Sequence, residues 1–239
     1  MSPHDPAERG KEAAGARAAE AVLPGMTLGL GTGSTVHYFL AALGRRCRDG
    51  ELPGVRGVPT SVRTEREASS QGIPLTTLEE AGSLDLTVDG ADEVNPELDL
   101  IKGLGGALLR EKMVAQATRR LVIIVDGGKL VHRLGTRGPL PVEVVPFAWK
   151  SHLPHIASLG AETVLKTRPD GEPYRTDNGN LVLHCHFPHG IEDPGALEGT
   201  LASRAGIVET GLFLGLAQEV LVGEEGAVRS VLRPGGDGP

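Results

Sequence analysis

The stretch VDGADEV, residues 88–94, sets three carboxylates, Asp89, Asp92 and Glu93, within a few positions, directly after the apolar run LDLTV. Three arrangements fit acids placed this way. They can bind a divalent cation, as DxxD spacings do; they can cap the turn that follows; or they can accept hydrogen bonds from the hydroxyls of a polyol, with the nearby Lys102 offsetting their charge. Three more clusters carry chemistry. GTGST pairs Gly31 and Gly33, which free the backbone, with the hydroxyls of Thr32, Ser34 and Thr35 at the start of a helix, where unpaired amides and the helix dipole favour a phosphate. The same residues also suit a turn with helix caps. IKGLGGALLREK joins Lys102 to glycines that let a ligand approach the main chain, then to Arg110, Glu111 and Lys112 on a helical segment. A carboxylate lying against apolar surface is tuned towards proton transfer near neutrality. Glu111, with Ala107, Leu108, Val114 and Ala115 as its helix neighbours, meets that description. Arg110, among Gly106, Ala107, Met113 and Val114, has equally apolar surroundings, so periodicity by itself leaves open a solvated REK face. DGGK offers Asp126 and Lys129, as a ligand contact or as a turn with a surface lysine.

Two further patterns are weaker. GTGST has no lysine in the GK[ST] position of a P-loop and misses the dinucleotide fingerprint. HCHFPH puts His184 and His186 on one face of a strand, but no carboxylate or thiol completes a zinc set, and an exposed strand face around a buried Cys185 accounts for it.

The elements that must position these groups follow from the apolar pattern. A helix is expected from Glu8 to Leu23, stopped by LPG; MTLGL reads as a strand, and TVHYFLAAL as a helix ending at Gly44. The order strand, loop, helix recurs through GVRGV, LDLTV, LDLI and RLVIIVDGGKL. Short continuous apolar strands alternating with helices predict an α/β fold, a mainly parallel sheet with helices on both faces (Rossmann-like). Ligands of such sheets bind beyond the carboxyl ends of the strands, and all four clusters fall at strand ends, so the four loops are expected to face one pocket. From Thr136 to Gly206 the texture shifts to strand–helix–strand, an Asn-Gly turn in TDNGN, and a helix aligning Leu197 with Leu201. This predicts a smaller α+β (ferredoxin-like) domain at 136–206 inserted in a catalytic α/β domain made of 1–135 and 207–239, with IVETGLF and EVLVG returning to the first sheet. The Gly/Pro-rich end, RPGGDGP, reads as frayed.

Composition narrows the partners. A chain of 239 residues buries a sizeable core, and 39% hydrophobic with 23% charged residues is ordinary for a globular protein. An aromatic share of 3%, a net charge of -7 and no basic stripe give no means of holding nucleic acid or an anionic membrane, so an anionic substrate must be small and locally held. The two cysteines, Cys47 and Cys185, fit a reducing cytoplasmic compartment, and neither a signal peptide nor an apolar run of about 18 residues is present.

GLGTGST, VDGADEV, IKGLGGALLREK, DGGK and PLPVEVVPFAW, in this order and spacing, resemble ribose-5-phosphate isomerase of the A type; TDNGN and IVETGLF fit as well, and the likeness spans Lys11 to Val231. The resemblance implies interconversion of ribose 5-phosphate and ribulose 5-phosphate in the non-oxidative pentose phosphate pathway, without metal or organic cofactor, by a homodimer or homotetramer. It assigns Glu111 as the base that moves a proton between carbons 2 and 1, Asp89 and Asp92 as acids near the reacting end, and Lys102 as the cation at the developing oxyanion. It further implies substrate binding by Thr32, Gly33, Ser34, Thr35, Gly90, Ala91, Gly103, Leu104, Gly105 and Lys129, and phosphate binding by Lys11. Two positions depart from the family pattern. Leu104 stands where the family has the second of four consecutive glycines, which restricts the backbone, and Gly128 replaces a serine. The rivals are a non-catalytic sugar-phosphate sensor, for which the segment before the first strand has room for a single helix and not for a DNA-binding pair, and a metal-dependent phosphohydrolase.

Overall fold

Short apolar runs closed by glycine or aspartate form the strands Thr27–Leu30, Leu86–Asp89 and Leu121–Asp126 of the parallel sheet, and the computed structural model describes residues 6–224 and 227–234. The chain runs α1 (Pro6–Glu20), β1 (Thr27–Leu30), α2 (Ser34–Arg48), β2 (Arg56–Pro59), α3 (Val62–Ser70), α4 (Leu78–Ala81), β3 (Leu86–Asp89), β4 (Glu93–Val94), β5 (Leu100–Ile101), α5 (Leu108–Gln116) and β6 (Leu121–Asp126). It continues with β7 (Leu140–Val144), α6 (Leu153–Ser158), β8 (Glu162–Leu165), β9 (Leu181–His186), α7 (Pro194–Ala202), β10 (Ile207–Thr210), β11 (Leu212–Phe213), β12 (Glu219–Glu224) and β13 (Ala227–Leu232). Short 3-10 turns occupy Gly127–Lys129 and Trp149–His152. The end of the expected frayed tail, 235–239, lies outside the described residues.

Contacts divide the chain into two units, one made of Met1–Ala91, Arg110–Lys129 and Leu216–Pro239, the other of Asp92–Leu109 and Leu130–Gly215. Residues 136–206 all fall in the second unit, together with the acidic turn from Asp92 onward and the glycine loop.

In the first unit the sheet order is β13-β12-β6-β3-β1-β2, parallel except for the edge hairpin β12–β13. Strand alternation separates its two faces. Leu28, Leu30, Val88, Val122 and Ile124 pack with Ala14, Ala18, Phe39 and Leu43 of α1 and α2. On the other face Val114 of α5 lies over Gly29, where a side chain would collide with it. The chain steps from β1 outward to β2 and then crosses back to β3, so the switch in strand order falls between β1 and β3. A crevice at that switch is where sheets of this kind take ligands.

The second unit holds an antiparallel sheet in the order β10-β7-β9-β8, with the chain order β7-α6-β8-β9-α7-β10. That is the ferredoxin-like arrangement, over a core that includes Val142, Val144, Leu183, Leu197 and Leu201. A three-stranded sheet, β11-β5-β4, completes it.

Three expectations change. LDLI does not join the parallel sheet: its Leu100–Ile101 pairs antiparallel with β4 and β11. IVETGLF does not return to the first sheet either. Gly211 breaks it into β10 and β11, which serve two different sheets, because so short an apolar run carries no signal of which sheet it joins. The helix expected to stop at Gly44 runs on to Arg48; Gly44 is buried mid-helix, where a Cβ would come within 2.7 Å of Gln71, so it marks a close approach and not an end.

Candidate active site

In the first unit, Asp89 is the last residue of β3 and only 1% exposed. Its Oδ1 accepts the amide protons of Thr32 (3.0 Å) and Gly90 (2.7 Å), tying together the loops that leave β1 and β3 at the switch point. Gly31 makes this possible, since a Cβ there would stand 2.2 Å from Asp89 Oδ1. The Thr32 hydroxyl turns inward and meets those of Thr60 (2.8 Å), Ser61 (2.8 Å) and Thr64 (2.9 Å). The loop is therefore held through Thr32, not displayed through it. Ser34 is exposed and Thr35 buried in the first turn of α2. The N-cap is Gly33, at φ 147°, and no side chain caps the helix. The hydroxyls that could have served as caps do not, which leaves the first amides of α2 disposed towards an anion.

Glu111 lies in the first turn of α5 and is 4% exposed, as is Lys112, while Arg110 is half-buried and Met113 is half-exposed. The buried face of α5 thus includes Glu111 and Lys112, and Arg110 is less buried than either. Lys129 closes the 3-10 turn after β6, where Asp126 Oδ1 accepts the Gly128 N–H at 2.9 Å. Lys11, on α1, donates to Glu8 (2.8 Å), whose other oxygen accepts the Tyr38 hydroxyl (2.7 Å). The hydrogen bonds from Lys11 and then Tyr38 hold the Glu8 carboxyl below its usual pKa.

In the second unit, the Asp92 N–H donates to Ile101 O (2.8 Å) and its Oδ2 accepts the Leu104 N–H (3.0 Å). Lys102 is 2% exposed; its N–H donates to Gly211 O (2.9 Å), and its ammonium sits 5.5 Å from the Phe213 ring centroid. Gly103 and Gly106 take positive φ (97° and 92°), whereas Leu104 and Gly105 do not. The restriction expected from Leu104 is therefore not imposed, because the left-handed positions of this turn are the ones that kept glycine. Glu93 does something else. Buried at 1% exposure, it accepts amide protons from Gly135 (2.6 Å), Arg137 (2.8 Å) and Gly138 (2.8 Å), so the third acid of VDGADEV clamps a loop. TDNGN is structural too: Thr176, Asn178 and Asn180 all donate to Oε1 of the buried Glu143.

Among the described residues, no group of three or more His, Cys, Asp or Glu is disposed to hold a metal ion. His186 is exposed, His184 is half-buried with its pKa pushed down by burial, and the buried Cys185 thiol is pushed up to about 12. No described helix is long and apolar enough to cross a membrane.

The ribose 5-phosphate isomerase A (phosphoriboisomerase A) family profile matches residues 56–227. A ribose-5-phosphate isomerase A of Chloroflexus aurantiacus is 50% identical over 94% of this chain and 93% of its own length. The chain belongs to the ribose-5-phosphate isomerase A family. Solved structures agree: a D-ribose-5-phosphate isomerase in complex with phospho-erythronic acid superposes at a TM-score of 0.92, with 37% identity over 95% of this chain and 99% of the other. The Plasmodium falciparum ribose 5-phosphate isomerase superposes at 0.91, with 35% identity over 95% and 99%. As a ribose-5-phosphate isomerase of this family the chain is an enzyme, an aldose–ketose isomerase, and the non-catalytic sensor reading finds no support.

Sequence reasoning missed the residues behind the site. The Thr60, Ser61 and Thr64 hydroxyls carried a visible signal, a Ser/Thr-rich helix start after a strand. Lys166 and Tyr174, which grip the glycine loop, carried none.

Proposed function

We propose that ribose 5-phosphate and ribulose 5-phosphate are interconverted by base-catalysed proton transfer through an enediolate, with Glu111 as the base that carries the proton between carbons 2 and 1. Removing a proton beside a carbonyl needs a base at the carbon and a donor or cation at the oxygen, and preorganised stabilisation of the developing charge is the larger contribution. Lys102 supplies the cation. Asp89 and Asp92 accept hydrogen bonds from substrate hydroxyls near the reacting end and assist ring opening. The amides of the Thr32–Thr35 loop, with Lys129 and Lys11, take the phosphate; Gly90, Ala91 and the Gly103–Gly105 main chain complete the substrate contacts.

The observation that carries this reading is the burial of a carboxylate and an ammonium, Glu111 at 4% and Lys102 at 2% exposure, in elements next to glycine turns. Burial of ionisable side chains beside backbone turns is the setting in which catalytic groups have their proton affinities tuned. The reaction as written uses no metal. We further expect a cytoplasmic homodimer or homotetramer that binds a small pentose phosphate and no nucleic acid, in keeping with the net charge of -7 and the free Cys47 and Cys185.

The test is ribose 5-phosphate in deuterated water with EDTA, followed by NMR for ribulose 5-phosphate and deuterium uptake. Wild type should isomerise, and Glu111→Gln should bind substrate while losing about a thousandfold in kcat, within the roughly 10²–10⁴ contribution of a single general acid–base group. Loss of wild-type turnover on chelation would move the reading to the metal-dependent rival.

A further inference from the structure

The loop Gly103–Gly105 can be inventoried group by group. Gly103 O accepts the Gly106 N–H (2.9 Å), Leu104 O accepts the Lys166 ammonium, and Gly105 O accepts the Tyr174 hydroxyl (3.0 Å). The Leu104 N–H goes to Asp92 (3.0 Å). Every carbonyl of the loop is thus engaged inside the protein, so none is turned unpaired towards a ligand. That is what a developing oxyanion requires, since an unpaired carbonyl at the same place would repel it.

The two side chains that engage the Leu104 and Gly105 carbonyls form one assembly. Lys166 follows β8, and the Tyr174 N–H donates to Lys166 O (2.9 Å), so they face each other at the base of a hairpin whose tip is turned by Asp170 and Gly171. The Lys166 ammonium sits 4.2 Å from the Tyr174 ring centroid, within cation–π range. The ring presses on Gly106, where a Cβ would lie 2.4 Å from Tyr174 Cε1. The groups facing Lys166 are the Asp92 carboxylate, His184 and Tyr174. Burial pushes the Lys166 pKa down, while the Asp92 charge opposes that shift; burial and the Asp177 and Glu143 charges push the Tyr174 phenol up, so it remains a donor at neutral pH.

We propose that Lys166 and Tyr174 are positioning residues for the isomerisation: they hold the carbonyls of Leu104 and Gly105 away from the substrate and fix the loop against Asp92. The proposal rests on the assignment of Asp92 and the Gly103–Gly105 loop to the substrate. It also explains why glycine is needed at Gly106, which makes room for the ring and takes a positive φ.

The test compares Lys166→Met, Lys166→Arg, Tyr174→Phe and the Lys166→Met/Tyr174→Phe double variant with wild type, measuring kcat, KM and Tm with ribose 5-phosphate. Lys166→Met should lower kcat about tenfold or more, the size of one charge-assisted hydrogen bond, with KM changing less than kcat. Lys166→Arg, which keeps a cationic donor, should recover most of the loss. Tyr174→Phe removes one hydroxyl and tolerates folding best; it should lower kcat about threefold to tenfold. The double variant should lose less than the product of the singles, because both act on one loop. Kinetics within about twofold of wild type in Lys166→Met and Tyr174→Phe would overturn the proposal, as would a loss of activity that follows Tm and that Lys166→Arg fails to recover. Wild-type turnover in the same assay keeps the two questions apart: a wild type that does not isomerise overturns the assigned function and the positioning role with it, whereas the variants of an active wild type test the positioning alone.

Discussion

Replacing Glu93 by Gln should separate the third acid of VDGADEV from the other two. Glu93 Oε1 accepts the N–H groups of Arg137 and Gly138, and Oε2 that of Gly135, all within 2.6–2.8 Å. A glutamine oxygen can still face Arg137 and Gly138, but its NH2 then points at the Gly135 N–H, donor against donor. One bond is lost and a buried N–H is left unsatisfied, at about 1–3 kcal/mol; the two remaining bonds fall from charged to neutral acceptors, at roughly 0.5–1.5 kcal/mol each. The sum is about 4 kcal/mol, within a range of about 2–6. For a chain of this size each kcal/mol moves Tm by about 2–4 °C, so a drop of roughly 8–16 °C is expected by calorimetry. The kinetic constants at 25 °C should stay within about twofold. Asp92→Asn should behave in the opposite way: asparagine keeps an oxygen for the single Leu104 N–H, so Tm should fall by no more than about 3 °C while kcat drops at least tenfold. If Glu93→Gln melts within 2 °C of wild type, or loses activity as Asp92→Asn does, the division of labour among these acids is wrong.

Two further outcomes are expected. Gly31→Ala puts a Cβ 2.2 Å from Asp89 Oδ1 and 2.5 Å from its Cα, so Asp89 and its strand end must move; kcat/KM should fall at least tenfold, and a value within twofold of wild type would show that Asp89 need not stand where it does. Acid should destabilise the fold through His152 and His184, whose pKa values burial depresses. Their folded-state pKa lies below the unfolded value of about 6.5, so this contribution is complete above pH 6.5 and is lost as the pH falls from there towards the folded-state pKa. His152 Nδ1 accepts the Arg204 Nε–H at 3.1 Å and must be unprotonated to do so. Tm measured from pH 7.5 to 5 should decline, and His152→Gln should flatten the decline; an unchanged slope in that variant would refute the assignment.

What the sequence disclosed and what it hid divide along physical lines. The turns after β1 and β5 were legible because close approach and positive φ leave glycine in place: Gly31 against Asp89, and Gly33, Gly103 and Gly106 at positive φ. Strands such as Leu121–Asp126 were legible because burial on both faces leaves a continuous apolar run. Two-residue strands such as Leu100–Ile101 have no periodicity, and their sheet is chosen by partners far along the chain. Helical spacing gave Glu111 and Arg110 equal claims, because it reports neighbours on the same helix and not what covers that helix. Lys166 and Tyr174 lie 62 and 69 residues from the carbonyls they hold, and a lysine and a tyrosine around a polar hairpin look like surface.

The acidic stretch owes its double use to extended-chain geometry. Successive side chains on a strand point to opposite sides, so residues 92 and 93 cannot serve the same group. Asp92, entering β4, turns its carboxylate to the glycine loop, and Glu93, the first residue of β4, turns its own to the 135–138 loop. Asp89 sits at the end of a different strand in a different sheet, with Gly90 and Ala91 forming the bend between them. A cluster of three acids in a net-negative chain is tolerable because each carboxylate accepts backbone N–H groups of its own: Thr32 and Gly90 for Asp89, Leu104 for Asp92, and three amides for Glu93. Amide dipoles supply positive potential that lets these acids lie close in sequence, and they do so at fixed points. Under the proposed mechanism, Asp89 and Asp92 are thereby held ready for hydroxyl groups before a substrate arrives.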